Sequence, residues 1–388
     1  MPKVLRIINR FNIGGPTYNA TFLTRFISDE FETLLIGGVP DEGETDSLHI
    51  LEEYGVQPII IDELQRNPNF QSDRKAYKKI KEIIREFKPD IVHTHAAKAG
   101  ALGRRAAYKC KVPVIVHTFH GHVFHSYFGK AKTTLFKKIE RNLAKKSTGI
   151  IAISEQQKHE LSEIHNICSA DKIKIIPLGF DLDKFRVNNE ENRIAIRAKY
   201  TIQPHEVAIA IVGRLAPIKD HDFFLNVIER IMREEKLPIR VFIVGDGSEA
   251  GAIRERVNAI NTNFPELITM TSWITNIGEF NSGMDIIALT SKNEGTPVSL
   301  IEAQAGGLPV ISTDVGGVKD IVANEKTGFI VPVNDLELYA EKLKKLITDQ
   351  KLREKMSQNG WDHVREQFHY TRLVKNMEDY YRELLEKR

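Results

Sequence analysis

The sequence predicts an α/β protein of two doubly wound domains with helices at its C-terminal end. Three observations lead there. Short β-branched runs alternate with helical stretches from the first residues, the alternation pauses and then restarts, and 388 residues exceed what one ordinary core holds.

The first series is KVLRIIN, ETLLIGG, PIIIDE, DIVHTH, PVIVHTF, GIIAIS and KIKIIPL, separated by 17–29 residues of amphipathic or charged sequence. Continuous apolar runs with helices between them are strands buried on both faces, hence a parallel sheet. Residues 186–205 are polar, without a buried-strand run, and read as a linker or a last helix of the first domain. The boundary is placed there, giving domains 1–190 and 191–388. The second series is VAIAIVG, IRVFIVG, LITMTSW, DIIALTS, PVISTD and GFIVPV. From residue 334 onward apolar residues recur at spacings of 3–4, predicting terminal helices in the second domain.

Composition excludes several classes. No apolar run approaches the ~18 residues of a membrane span. Arg6 and Arg10 interrupt the only leader-like stretch, so a first strand is expected there. Two cysteines, Cys110 and Cys168, supply neither a disulfide framework nor metal spacing and fit a reducing cytoplasm. The net charge of +3 hides an asymmetry: residues 1–185 carry 28 Lys and Arg against 22 Asp and Glu, the remainder 27 against 30. Within 101–150 there are 11 basic residues and one acid, Glu140, which points to an anionic partner. There Leu135, Phe136, Ile139 and Leu143 form an apolar stripe among lysines. It would either pack on its own sheet or lie on an anionic membrane.

In such folds ligands meet the loops at the carboxyl ends of the strands. After the first strand, Gly14 and Gly15 precede a helix start, which suits either a tight turn or an approaching phosphate; the spacing is not GxGxxG. In VGRLAPIKD, Arg214 and Lys219 follow a strand end and suit a diphosphate, or else are solvated surface charges. FIVGDGSEAG spaces Gly245, Gly247 and Gly251 as a weak nucleotide signal, without the acidic ribose reader of NAD enzymes. In EGTPVSLIE, Thr296 is expected as N-cap and Pro297 as the first helical residue, leaving free N–H groups near Val298 beside Glu294. Glu302 lies within that helix among apolar residues. It needs a partner, such as a pair of vicinal hydroxyls, unless it faces solvent or an internal cation. HTFHGHVFH supplies His117, His120, His122 and His125 at spacings that do not suit zinc; a hydrogen-bonding role is expected, on the same rim as the HTH of residues 93–95.

Together, Glu294-x7-Glu302, GR…K at 213–219, GG at 14–15, FH at 119–120 and IPLGFDLDKF at 176–185 resemble the family 4 retaining glycosyltransferases of GT-B fold, over nearly the whole chain. The resemblance implies two Rossmann-like domains facing across a cleft, the first for the acceptor and the second for a nucleotide-sugar donor. It implies Glu294 on the transferred sugar, Glu302 on the ribose, Arg214 and Lys219 on the diphosphate, Gly14 and Gly15 against diphosphate and acceptor, and His120 near the reacting carbon. It further implies transfer of a hexose or N-acetylhexosamine, with uridine as the expected base, to a polysaccharide, glycolipid or lipid-linked acceptor, with no metal, cofactor or nucleic acid. The protein would be cytoplasmic or peripheral at the inner membrane face. Where the family pattern has EGFG this chain has EGTP, so contacts from Thr296 and Pro297 would differ. The Asp-x-Asp of the IPLGFDLDKF stretch, Asp181 to Asp183, belongs to the family's turn rather than to a metal site. An epimerase of the same fold, a non-catalytic partner subunit and, last, an NAD dehydrogenase are the competing readings.

Overall fold

The computed structural model describes all residues except 13–14, 41–46, 66–68, 121–129 and 388, and omits the side chains of 130–132. The chain forms two compact units, Met1–Phe180 with Phe368–Arg388, and Asp181–Gln367. Each holds one parallel sheet. The first contains β1 (Lys3–Arg10), β2 (Glu32–Gly38), β3 (Ile59–Ile60), β4 (Ile91–His95), β5 (Val114–Thr118), β6 (Gly149–Ala152) and β7 (Ile173–Ile175), in the order β3-β2-β1-β4-β5-β6-β7. The second contains β8 (Val207–Val212), β9 (Ile239–Val244), β10 (Ile268–Thr271), β11 (Ile286–Leu289), β12 (Val310–Thr313) and β13 (Gly328–Val331), in the order β10-β9-β8-β11-β12-β13.

Both orders reverse direction at one point, between β1 and β4 and between β8 and β11. Successive crossovers diverge there and leave a crevice at the carboxyl ends of the strands. The alternation read from the sequence is thus the fold, with strands covered on both faces. Val4, Ile91 and Val116 pack on one side of the first sheet, and Leu5, Val92 and Ile115 on the other.

The division of the chain differs from the expected one in two ways. The change of unit falls at residue 180 rather than 190, and the helix Asn189–Lys199 within the expected linker belongs to the second unit. Arg193 and Arg197 hold it there, reaching Asp285 at 2.7 and 3.1 Å. The final helix, Tyr370–Glu386, returns to the first unit, where Leu373, Met377 and Tyr381 join the core beside Val4, Ile91 and Val116. The Phe180 N–H donates to Phe368 O (2.8 Å) and the Tyr370 N–H to Phe180 O (3.0 Å), joining the departing and returning chain. A Cβ at Gly149 would stand 2.1 Å from the Tyr380 hydroxyl, so this seat requires glycine.

The charged segment 101–150 also resolves. Glu140, its lone acid, is buried against the fully buried Arg104 at 2.6 Å. Leu143 is buried and Phe136 and Ile139 half-buried, so the stripe mostly packs inward, while Leu135 stays 57% exposed.

Candidate active site

In the second unit, the loops after β8 and β11 meet at the switch point. Lys219 ends the short turn Pro217–Lys219 and its Nζ pairs with Glu294 Oε1. The buried Ser291 donates its hydroxyl to the same carboxylate oxygen at 2.5 Å, fixing the carboxylate from a second side. Backbone contacts stitch the two loops together. The Thr290 hydroxyl lies 3.1 Å from Lys219 O and 3.0 Å from Asp220 O, and the Lys292 N–H donates to Ile218 O at 2.8 Å. Arg214 is exposed and pairs with no carboxylate among the described residues. A cation held on a rigid loop without an internal anion is arranged for an external one.

Two further loops complete the crevice. Gly245 has φ +140°, and a Cβ there would stand 2.0 Å from Gly213 O; the glycine lets the β9 loop lie against the Arg214 loop. Gly316, with φ +48°, would place a Cβ 1.7 Å from Glu294 O, so the loop after β12 supports the Glu294 backbone directly.

The helix carrying Glu302 is Val298–Ala305. Its cap is Pro297 rather than Thr296, and no side chain caps it. Pro297 carries φ −72° and ψ 92°, an extended conformation that starts the helix one residue later than the sequence suggested. The Leu300 N–H turns back to Pro297 O at 3.1 Å, and the helix start ahead of it, without a side-chain cap, is a place where negative charge is favoured. Thr296 and Val298 are half-buried beside it and Pro297 is buried. Burial pushes the Glu302 carboxyl up to about 7, against the pull of Lys184 from the turn Asp183–Phe185.

In the first unit the corresponding strand ends carry imidazoles. His95 Nδ1 lies 2.8 Å from His120 Nε2, the rings stack at 5.1 Å, and His95 also lies over His93 at 4.2 Å. His93 is held by Tyr381 (2.6 Å) and Thr118 (2.7 Å), and His117 by Thr94 (2.8 Å). Below them sits the fully buried Arg6, which faces no carboxylate among the described residues. Burial lowers His120 to about 3, and burial with repulsion from Arg6 and neighbouring rings holds His93 and His95 well below the usual range. These rings are neutral. One member of the His95–His120 pair therefore donates and the other accepts, which leaves His95 Nε2 and His120 Nδ1 without partners among the described residues. Gly15 begins the helix Gly15–Arg25. Gly14, His122 and His125 lie outside the described residues.

Residues 14–184 match the family described as Glycosyltransferase Family 4, and residues 192–363 match Glycosyl transferases group 1. The UDP-Gal:alpha-D-GlcNAc-diphosphoundecaprenol alpha-1,3-galactosyltransferase of Escherichia coli is 30% identical over 329 residues, covering 84% of each chain. The chain belongs to the group 1, family 4 glycosyltransferases. The capsular polysaccharide biosynthesis glycosyltransferase CapM of Staphylococcus aureus is 28% identical over 341 residues, 86% of this chain and 87% of its own. The fold is GT-B: HepE of Anabaena, solved in complex with UDP, aligns with TM-score 0.82 at 17% identity over 98% and 100% of the two chains. A Rickettsia africae glycosyltransferase aligns at 0.80 and 22% identity, over 99% of this chain and 98% of its own.

The glycosyltransferase's second unit thus brings Arg214, Lys219, Gly245, Glu294 and the 296–298 helix start together on adjoining loops, with Glu302 further along the helix. Gly15 and His120 belong to the first unit. Sequence reasoning missed Ser291, Lys184 and the supporting Gly316. The paired glycines of STDVGG after a strand were the one available signal, since a double glycine at a strand end marks close backbone approach. Ser291 and Lys184 had no signal, because their roles depend on contacts set by the fold.

Proposed function

We propose that this glycosyltransferase moves a hexose or N-acetylhexosamine from a UDP-sugar to a lipid-linked saccharide in polysaccharide assembly, with retention of anomeric configuration and without a metal ion. The observation that carries the reading is Arg214, exposed and free of carboxylate partners among the described residues, beside the Lys219–Glu294 pair at the β8/β11 switch point. Arg214 and Lys219 would take the diphosphate, with the N–H groups of the uncapped helix facing the charge that grows on it. As phosphate binds Lys219, Glu294 would be released towards the sugar hydroxyls. Glu302 would accept from the ribose hydroxyls, and backbone near Gly15, Gly245, Thr296, Pro297 and Val298 would line the donor.

In the transfer step, the bond between the anomeric carbon and the phosphate oxygen breaks with its electron pair leaving on UDP. The acceptor hydroxyl bonds to that carbon on the same face, and its proton passes to the departing phosphate oxygen. His120, neutral, would hydrogen-bond the transferred sugar without exchanging a proton. The E. coli relative's own name specifies UDP-Gal and a diphosphoundecaprenol acceptor, and CapM's specifies capsular polysaccharide; both support this donor and acceptor class. Such an acceptor would bring the enzyme to the inner face of the cell membrane.

The test is incubation of the protein with UDP-Gal, UDP-Glc, UDP-GlcNAc and the corresponding GDP- and ADP-sugars, with and without a GlcNAc-diphosphate-lipid, in EDTA and in Mg²⁺. Acceptor-dependent UDP release that survives EDTA and yields an α-linked product is expected. An inverted product, an EDTA-sensitive reaction, or sugar epimerised without acceptor would each overturn the corresponding part.

A further inference from the structure

The basic excess of the first unit has a focus away from the strand ends. A groove of about 620 Å³ runs over the helices Phe70–Phe87, Ala97–Lys109 and Lys130–Lys146. Phe70, Tyr77, Leu102 and Tyr108 give it an apolar lining; Phe70 is 83% and Tyr108 52% exposed, unusual for aromatic side chains of this size. Arg74, Arg105 and Lys109 rim it, exposed and without ion pairs among the described residues. Lys146 bonds Asn142 and lies 5.7 Å from the Tyr108 ring centroid. Among the described lining residues the only carboxylate, Asp73, is engaged by Lys98 at 2.6 Å. The groove is therefore cationic at its rim and aromatic within.

The geometry points to this groove as a docking surface for an anionic phospholipid bilayer, with a lipid phosphate between the rim cations and Phe70 and Tyr108 set at headgroup depth. This rests on the lipid-linked acceptor proposed above. Charge selects the occupant: a second copy of this surface would bring cations against cations. Apolar aromatic bodies flanked by Arg and Lys, whose alkyl stems reach past apolar surface, are the composition of interfacial anchors. Among the described residues no helix is long and apolar enough to cross a membrane, so attachment through them would have to be of this surface kind. Lys109 ends the helix that begins just after β4, so groove and strand ends are engaged from opposite ends of one helix.

The experiment is co-sedimentation of the full chain with phosphatidylcholine vesicles, with and without phosphatidylglycerol, alongside UDP binding by calorimetry. The wild type is expected to bind only the anionic vesicles. Each rim cation contributes about five-fold in partitioning, so Arg74→Glu with Arg105→Glu should lower binding by roughly 25-fold or more. Phe70→Ser, which keeps every charge, should lower it about ten-fold, and Lys137→Glu with Lys138→Glu, outside the groove lining, should lower it less than the groove pair. UDP binding should stay at the wild-type value in all of them. Wild-type protein that ignores anionic vesicles, or groove variants that bind them as wild type does, would overturn the proposal. Loss of binding only in Lys137→Glu/Lys138→Glu would move the contact to the neighbouring helix. Absent UDP binding with vesicle binding intact would contradict the donor reading and leave the groove standing.

Discussion

The two switch points are built from opposite electrostatics. In the second unit the strand ends carry fixed charges on half-exposed loops: Arg214, which pairs with no carboxylate among the described residues, and Lys219 paired with Glu294. In the first unit the equivalent strand ends carry stacked imidazoles, made neutral by burial above a buried arginine. Where charge stays near water, it remains available to a charged ligand. Where it is withdrawn from water, titration is suppressed and only directional hydrogen bonds remain. One fold, used twice, thus offers a charge-binding crevice and a neutral hydrogen-bonding one.

The comparison can be broken or sharpened by variants and by pH. The largest effect is expected from Arg104→Met, which strands the buried Glu140 carboxylate in the first unit. It should cost ~3–5 kcal/mol of stability, read by urea unfolding, while leaving UDP affinity in the folded protein near the wild-type value. Next is Arg214→Ala: because the side chain is exposed, melting should be unchanged, while kcat/KM falls by roughly 30-fold to several thousandfold, ~2–5 kcal/mol. Full activity of that variant would remove the charged crevice from the account. Gly316→Ala should sit between the two types, lowering stability by ~2 kcal/mol or more through its positive φ and its clash with Glu294 O, and lowering turnover as well.

The pH responses should differ in sign. The first-unit histidines have folded pKa values below the ordinary 6.5, so the unfolded chain takes up protons first and stability falls as pH drops below about 6.5. Each can contribute up to ~1.4 kcal/mol per pH unit, and His120→Asn should shallow the acid limb of a stability profile. Glu302 behaves oppositely. Its folded value, near 7, lies above the ordinary 4.5, so the stability it contributes is fully present below 4.5 and is lost as pH rises through 7. Only the carboxylate accepts two ribose hydroxyls, so UDP affinity should rise up to about ten-fold between pH 6 and 8, and Glu302→Gln should flatten that rise.

The strands, both sheets and the loops after them were legible in the sequence because a buried parallel strand writes itself as a continuous apolar run. The destination of Tyr370–Glu386 was not, since an amphipathic helix shows an apolar face without naming the sheet that covers it. Arg104 and Glu140 read as surface charge because a pair 36 residues apart leaves no local pattern. The motif residues around Glu294 were legible as loop positions, but the direct Lys219–Glu294 pair was not; it depends on β8 and β11 being neighbours. The start of the helix at Val298 was shifted by one because Pro297 itself takes the cap position.

The measurement that tests the central claim most directly is calorimetric titration of wild-type protein and Arg214→Ala with UDP, GDP, ADP and NAD. Saturable binding of UDP alone, weakened at least 30-fold in Arg214→Ala with unchanged melting of the free protein, is the predicted result. Preference for NAD, or UDP binding indifferent to Arg214, would contradict a donor site at the β8/β11 switch point.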